Sequence, residues 1–287
     1  GDGRRTLAFT DFTGKVVLSR AVTGGANADT YSVYNDAGDL ALVLQPLASS
    51  VLTAEGTAYD ISSDATLRGY ADLYRYDDRL LLTERRMAGT EPVIYRHDAA
   101  GRLIFTQDGE QRARGVTGFA FDDPYGRRAI EGEVLATAQL MDGVRNIRPY
   151  AMRTQTLSGR HAGYGVSLSL TQAVVDKAYY YDDYGFRSEA CCAGIDSVLS
   201  ASPLNVTRSN NRGLLTATLS RINSAADFDG SVTVGATAGN YIAETFGYDS
   251  RERVAESVSV DAQGVTVREN VTYSSSGLPM SSVTQRF

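Results

Sequence analysis

Apolar and polar residues alternate with a period of two through much of this chain, as in Tyr74-x-Tyr76 and Tyr95-x-His97. That is the period of a strand with one buried face. Each run gives way to a few turn-forming residues, after which aliphatics resume, as in Leu103-Ile104-Phe105. The punctuation is itself a repeat: an aromatic, Asp or Asn, two or three residues, Gly, a basic or polar residue, then aliphatics. Its clearest copies run Tyr34-Asn35-Asp36-Ala37-Gly38, His97-Asp98-Ala99-Ala100-Gly101 and Tyr181-Asp182-Asp183-Tyr184-Gly185. Looser copies centre on Asp11 and Gly14, and on Asp122 and Gly126. Asp77 lacks the glycine, Asp249 has Glu252 in its place, and Gly277 follows Ser274 instead of an Asp.

Each copy predicts a β-hairpin. The Asp carboxylate can accept from backbone N–H groups two residues on, and Gly supplies the positive φ that closes a short loop. The basic residue after Gly is expected to face solvent with its stem lying on the sheet. Copies are closely spaced from Asp77 to Asp122 and widely spaced towards Asp182 and Asp249, leaving room for insertions. Ser63 to Leu73 predicts a short helix capped by Ser63, and Glu133 to Met141 a second. Ser200 to Arg212 reads as an exposed loop. The expected architecture is a single all-β domain over 1–287, a long, twisted, curved antiparallel sheet with one or two short helices and a soft boundary near 200–212.

Composition supports that reading: 17 Tyr and 9 Phe with no Trp suit half-buried strands, and 28 Gly against 6 Pro suit many turns. A net charge of −6 argues against general affinity for nucleic acid. No apolar run reaches the roughly 20 residues of a membrane span. The two cysteines, Cys191 and Cys192, are adjacent; they form no disulfide framework and have no zinc-ligand spacing. The chain opens on Gly1-Asp2-Gly3 without a start methionine, so the lack of a signal peptide says nothing about export.

The ordered series of aromatic–Asp units resembles the YD repeats of Rhs proteins, Tc-toxin cocoon subunits and teneurins. The similarity is greatest to Rhs-repeat proteins of Bacteroidetes along Asp29 to Ser49, Leu73 to Gly109 and Ala178 to Phe186. The resemblance implies hairpins joined edge to edge into the arc of a hollow shell, in a large exported protein at the bacterial surface or outside the cell. It implies a partner in the remainder of the full-length chain, which encloses or displays a C-terminal toxin or adhesive domain. The self-cleaving core that closes such shells has no match here.

Candidate chemistry is sparse. His97 occupies the slot that Tyr holds in sister repeats, and His161 sits in a turn-like segment without a partner motif. The Asp pairs fall at predicted turns, where capping accounts for them better than a paired-carboxylate hydrolase. Asp227-Phe228-Asp229-Gly230 lacks the remaining ligands of a calcium loop. Tyr180 and Tyr184 are the candidate stacking surfaces for a glycan, although alternation puts Tyr179 and Tyr181 on one face, where core packing is the stronger reading. No catalytic residue, cofactor or metal is expected. The reading is a non-enzymatic scaffold, with a carbohydrate- or protein-binding module as its alternative. Unpaired strands at the ends of the sheet predict self-association.

Overall fold

The computed structural model describes residues 5–51, 64–153, 160–170, 172–188, 193–201, 204, 211–222, 241–261 and 263–287. Two compact units emerge, one formed by 1–114 with 141–146, the other by 115–140 with 147–287. The loop at 200–212 falls inside the second unit, mostly outside the described residues.

The first unit carries β1 (Arg5–Thr10), β2 (Val16–Thr23), β3 (Ala26–Tyr34), β4 (Leu40–Leu44), α1 (Pro46–Val51), α2 (Ala65–Tyr70), β5 (Ala71–Tyr76), β6 (Leu82–Arg86), β7 (Val93–His97), β8 (Leu103–Gln107) and α3 (Gly109–Ala113). Its eight strands lie in sequence order, each antiparallel to its neighbours. The short helices sit in connections between hairpins. The N-cap of α2 is Asp64, whose Oδ1 accepts from Leu67 N at 2.9 Å; the predicted cap, Ser63, lies outside the described residues. α3 begins with a capping box, in which Asp108 accepts from Gln111 N at 2.8 Å and Gln111 accepts from Asp108 N.

The second unit contains β9 (Val116–Asp122) and β10 (Arg128–Leu135). α4 (Ala138–Gly143) follows and is divided between the units. Then come β11 (Ala151–Met152), β12 (Arg160–His161), β13 (Tyr164–Val166), β14 (Ala173–Asp182), α5 (Ala193–Ala201), β15 (Asn211–Arg221), β16 (Tyr241–Tyr248), β17 (Val254–Val260), β18 (Thr266–Tyr273) and β19 (Pro279–Arg286). The large sheet runs β9-β10-β14-β15-β16-β17-β18-β19, and β11-β13-β12 form a small second sheet. The helix expected over 133–141 is displaced. Glu133 to Leu135 complete β10, because Val134 alternates inward and is fully buried, and the helix starts only at Ala138.

The core forms where insertions cover a sheet face. In β9, Phe119 and Phe121 point inward while Gly118 and Ala120 alternate outward. The small sheet and the 3-10 turn Gly185–Ser188 bring Tyr164 and Phe186 against Tyr180, with ring centroids at 5.8 and 4.9 Å. Burial of such rings dominates the local stability. α5 lies over β16 and β17. Between β17 and β18, Glu256 and Arg268 form a buried ion pair at 3.0 Å, a contact expensive to break from one side only.

One close backbone approach is decided by glycine. At Gly132 the register between β10 and β14 shifts, and a Cβ there would meet Val174 O at 2.0 Å. Gly132→Ala is therefore expected to cost at least about 2 kcal/mol, in the upper part of the overpacking range. Gly143→Ala, where nothing lies within 4 Å, is expected to be near neutral. Urea denaturation of the two variants checks the contrast.

Candidate functional site: the hairpin joints

The same five-residue turn recurs along the sheets. Its first residue donates its N–H to the carbonyl of the fifth, and the fourth donates back to the carbonyl of the first. This pattern holds at Asp11, Asn35, Asp77, Asp98, Asp123, Asp249, Asp261 and Ser274. The side chain of the first residue locks it. Asp98 Oδ1 accepts from Ala100 N at 2.8 Å and Arg102 N at 2.9 Å. Asp11, Asp77, Asp123, Asp249 and Asp261 repeat that two-point contact. Asn35 and Ser274 keep only the bond to the fifth residue. The fourth residue is left-handed: Gly14, Gly38, Gly101, Gly126, Gly264 and Gly277, with Leu80 at φ 62° and Glu252 at φ 66°. A non-glycine residue there is strained, and the turn carboxylate holds it in place.

Asp122 is one residue too early. The turn carboxylate of the β9–β10 hairpin is Asp123, three residues before Gly126, the spacing already present in Asp11–Gly14 and Asp98–Gly101. Asp122 instead ends β9 and pairs with Arg128 at 3.3 Å. The Asp261–Gly264 turn has the same spacing and was missed because no aromatic precedes it.

The Asp182–Gly185 unit makes no such turn. Gly185 starts a 3-10 helix that carries Phe186 into the core, and the chain returns to the sheet only at Asn211. Gly213, at φ 85°, takes the left-handed position, and its N–H reaches Asp182 Oδ1 at 2.6 Å. An insertion thus splits the turn, and its two halves still meet.

Successive hairpins are joined by two side chains that sequence reasoning did not connect. The first is the tyrosine at the end of the leading strand. Its hydroxyl donates to the preceding hairpin, to the carbonyl two residues past the left-handed position. Tyr34 reaches Val16 O (3.1 Å), Tyr76 reaches Leu40 O (2.9 Å), Tyr181 reaches Arg128 O (3.0 Å), Tyr248 reaches Leu215 O (2.5 Å) and Tyr273 reaches Val254 O (2.7 Å). The second is the cation after the glycine. Where it is arginine it clamps its own turn, as in Arg102–Asp98, Arg127–Asp123 and Arg253–Asp249. Lys15, Arg127 and Arg253 lie over the joint tyrosine of the next hairpin, at 5.0, 4.3 and 4.3 Å. These heads are engaged in the joint, not turned to solvent as the sequence suggested.

Register follows the joints. At six joints the residue four past the left-handed position pairs with the residue four before the first position of the next turn on the same side of the sheet, the Asp261 turn lying on the opposite side. Leu18↔Tyr31, Leu42↔Leu73 and Glu84↔Ile94 obey this in the first unit. Ile130↔Ala178 and Glu256↔Asn270 obey it in the second, and Ala217↔Thr245 does so when counted from Gly213. The intervening loops differ greatly in length; the register does not.

Tyr180 is no stacking surface: it is fully buried between Tyr164 and Phe186, and its hydroxyl donates to Ala162 O at 2.9 Å. Tyr184 donates to Phe246 O at 2.7 Å, and burial pushes its phenol up to about 12. The inward-facing parity of β14 changes between Val175 and Ala178, at the register shift against Gly132, so the core face carries Ala178 and Tyr180 instead of Tyr179 and Tyr181. A cleft of about 450 Å³ beside the split turn is bordered by Tyr125, Arg127, Arg153, Tyr181, Asp182 and Asp183. The side chain of His161, both cysteines and the 227–230 segment lie outside the described residues. Among the described residues, no cluster of three His, Cys, Asp or Glu is placed to hold a metal, and no helix is long and apolar enough to cross a membrane.

No family model and no curated protein matches the chain. It is similar to a chain of the Photorhabdus luminescens Tc holotoxin pore at 12% identity, covering 98% of this chain and 11% of that one with a TM-score of 0.46. It is likewise similar to the crystal structure of TcdB2-TccC3-TEV at 11% identity, covering 98% and 12% with a TM-score of 0.46. This chain therefore spans about a ninth of the length of those proteins. The fold rests on the hydrogen bonds above, independently of these similarities.

Each joint hydroxyl should contribute about 1 kcal/mol. Tyr34→Phe, Tyr76→Phe and Tyr273→Phe are expected to lose that much singly and to add when combined. Tyr125→Phe, exposed at a turn, should lose nothing in the same urea titration. His97 precedes the Asp98 turn in the slot that tyrosine holds elsewhere, and counting two past Leu80 makes Leu82 O the acceptor that His97→Tyr should reach, with a gain of about as much. Burial, reinforced by Arg79 and opposed by Asp77 and Asp98, holds the His97 imidazole below its usual pKa. Its neutral form is thus favoured on folding, so its contribution is complete above about pH 6.5 and is lost as pH falls below that. The advantage of His97→Tyr should accordingly grow between pH 7 and pH 5. What these joints build is an all-β chain of aromatic–Asp hairpins, stapled one to the next in a constant register.

Proposed function

We propose that the chain is a non-enzymatic scaffold segment of a larger exported Rhs-type protein, contributing strands to a shell that encloses or displays a further domain. The observation that carries this is the constant register of the joints. A hairpin rule insensitive to loop length lets repeats be added indefinitely and lets insertions be tolerated, which is what a wall requires. The partner is the remainder of the same polypeptide, and the setting is the bacterial surface or the extracellular space.

The alternative is a binding module for glycan or protein. Tyr180 is buried in the core, and the surface that supports this reading is the cleft beside the split turn, bordered by the exposed Tyr125.

Limited proteolysis of the full-length protein tests the scaffold. The downstream domain should resist protease in the wild type and become cleavable when Tyr34, Tyr76 and Tyr273 are all replaced by Phe. Equal cleavage in both would contradict enclosure. Saturable binding on a glycan array, lost with Tyr125→Ala at unchanged stability, would favour the alternative instead.

A further inference from the structure

One joint inside the first unit is built without tyrosine. The Asp98 hairpin follows the Asp77 hairpin, and His97 stands where other joints place the phenol. The fifth residue of the Asp77 turn is Leu81, so the position that elsewhere supplies a cation is aliphatic. Arg79 still ties the two turns, donating to Asp98 O at 2.7 Å. The strands beyond it match at only two positions, Glu84↔Ile94 and Arg85↔Val93. By contrast β15 and β16, joined by Tyr248, match at five, from Ala217↔Thr245 to Arg221↔Tyr241. Short pairing of this kind belongs to the parts of a fold that open first.

Residues 141–146 lie across this seam. They follow β10 in sequence but belong to the first unit. Met141 and Val144 are buried, and the 3-10 turn Val144–Asn146 lies against β7. Two ion pairs reach from the segment to opposite sides of the seam. Arg96 Nε, on β7, donates to Asp142 at 2.9 Å. Arg145 donates to Asp78, in the turn between β5 and β6. A cleft of about 470 Å³ at the same place is bordered by Glu84, Ile94, Arg96 and His97 of the hairpins and by Asp142 and Arg145 of the segment.

We propose that residues 141–146 are a strap that closes the β6–β7 joint in place of a tyrosine, and that releasing the strap opens the sheet there. Its apolar and charged contacts divide the task. Burial of Met141 and Val144 holds the segment in place. The ion pairs span the seam, and they are solvent-exposed: the side chains of Asp142 and Asp78 are 68% and 71% accessible. Such pairs contribute little and are screened by salt. The strap is therefore a weak, salt-sensitive latch, whereas a hydroxyl bonded to a carbonyl carries no net charge for salt to screen. The inference rests on the joint geometry and not on the scaffold reading.

Hydrogen exchange of the folded chain, read by mass spectrometry over 82–97, tests the strap against the stapled β15–β16 joint as reference. Arg145→Ala should raise exchange at 82–97 about twofold to fivefold, the value of one exposed ion pair, and leave the reference unchanged. Raising sodium chloride from about 0.05 M to about 1 M should do the same to the wild type. Arg145→Glu combined with Asp78→Arg should restore protection, because the pair is rebuilt across the seam. His97→Tyr supplies the missing staple, so Arg145→Ala should have little effect in that background.

Equal exchange in the wild type and Arg145→Ala, indifference to salt, or no recovery on charge reversal would each overturn the strap. So would an undiminished effect of Arg145→Ala beside His97→Tyr. Should His97→Tyr fail to fold, the charge reversal decides alone. Every one of these failures leaves Tyr34, Tyr76 and Tyr273 free to behave as staples, so the scaffold reading is tested separately.

Discussion

A carboxylate at the start of a five-residue turn, accepting from the third and fifth N–H groups, is the contact on which the remaining geometry depends. It fixes where the left-handed residue falls. From that residue the positions of the joint tyrosine's acceptor and of the paired strand residues follow by counting. The carboxylate does this cheaply, because it satisfies backbone donors that a tight loop would otherwise leave to water. It also explains why the fourth position tolerates Leu80 and Glu252: the side-chain bonds at Asp77 and Asp249 hold a backbone conformation that glycine adopts freely. The turn, not the loop on the opposite side, sets the strand register.

The joint turns a string of local hairpins into a sheet. A hairpin alone is marginal in water. Five of the hairpins make a hydroxyl bond to a carbonyl of the neighbouring hairpin and, at three joints, meet a cation lying over the tyrosine ring. The largest departure from the rule, the split turn at Asp182, shows how robust it is. The carboxylate is held by both guanidinium nitrogens of Arg127 at 3.0 and 2.9 Å, and by Gly213 N. Those contacts hold Asp182 below the usual carboxylate range, with Arg127 the largest cause. The inserted segment then serves the core, because Phe186 stacks on Tyr180.

Much of this was legible in the sequence, because the turn is local chemistry. Asp11, Asn35, Asp77, Asp98 and Asp249 lie at the start of turns, and Gly14, Gly38, Gly101, Gly126 and Gly277 occupy left-handed positions. The failures have definable causes. Asp122 follows the aromatic Phe121 and so fits the repeat pattern, but the turn obeys the three-residue distance from Asp123 to Gly126. Gly185 fits that distance, yet burial of Phe186 outweighs closing the turn there. Tyr180 faces the core because the register shift against Gly132, on the neighbouring strand, resets the alternation of β14, and the sequence of β14 itself does not mark that shift. The joints were invisible for another reason: each hydroxyl meets a carbonyl 18 to 53 residues away, and a carbonyl carries no sequence signature.

Two insertions placed on opposite sides of one hairpin separate turn-set register from loop-set register. Four Gly or Ser residues added between Ala88 and Gly89 lengthen the β6–β7 loop. One residue added between Asp98 and Gly101 disrupts the turn. If the turn sets the register, the urea midpoint should reveal a cost of less than about 1 kcal/mol for the first, the scale of loop closure. The second should cost at least about 3 kcal/mol, because a one-residue slip would turn Ile104 and Phe105 towards the wrong faces. Equal costs, or the larger cost in the loop, would contradict the claim that the Asp turn fixes the register of the sheet.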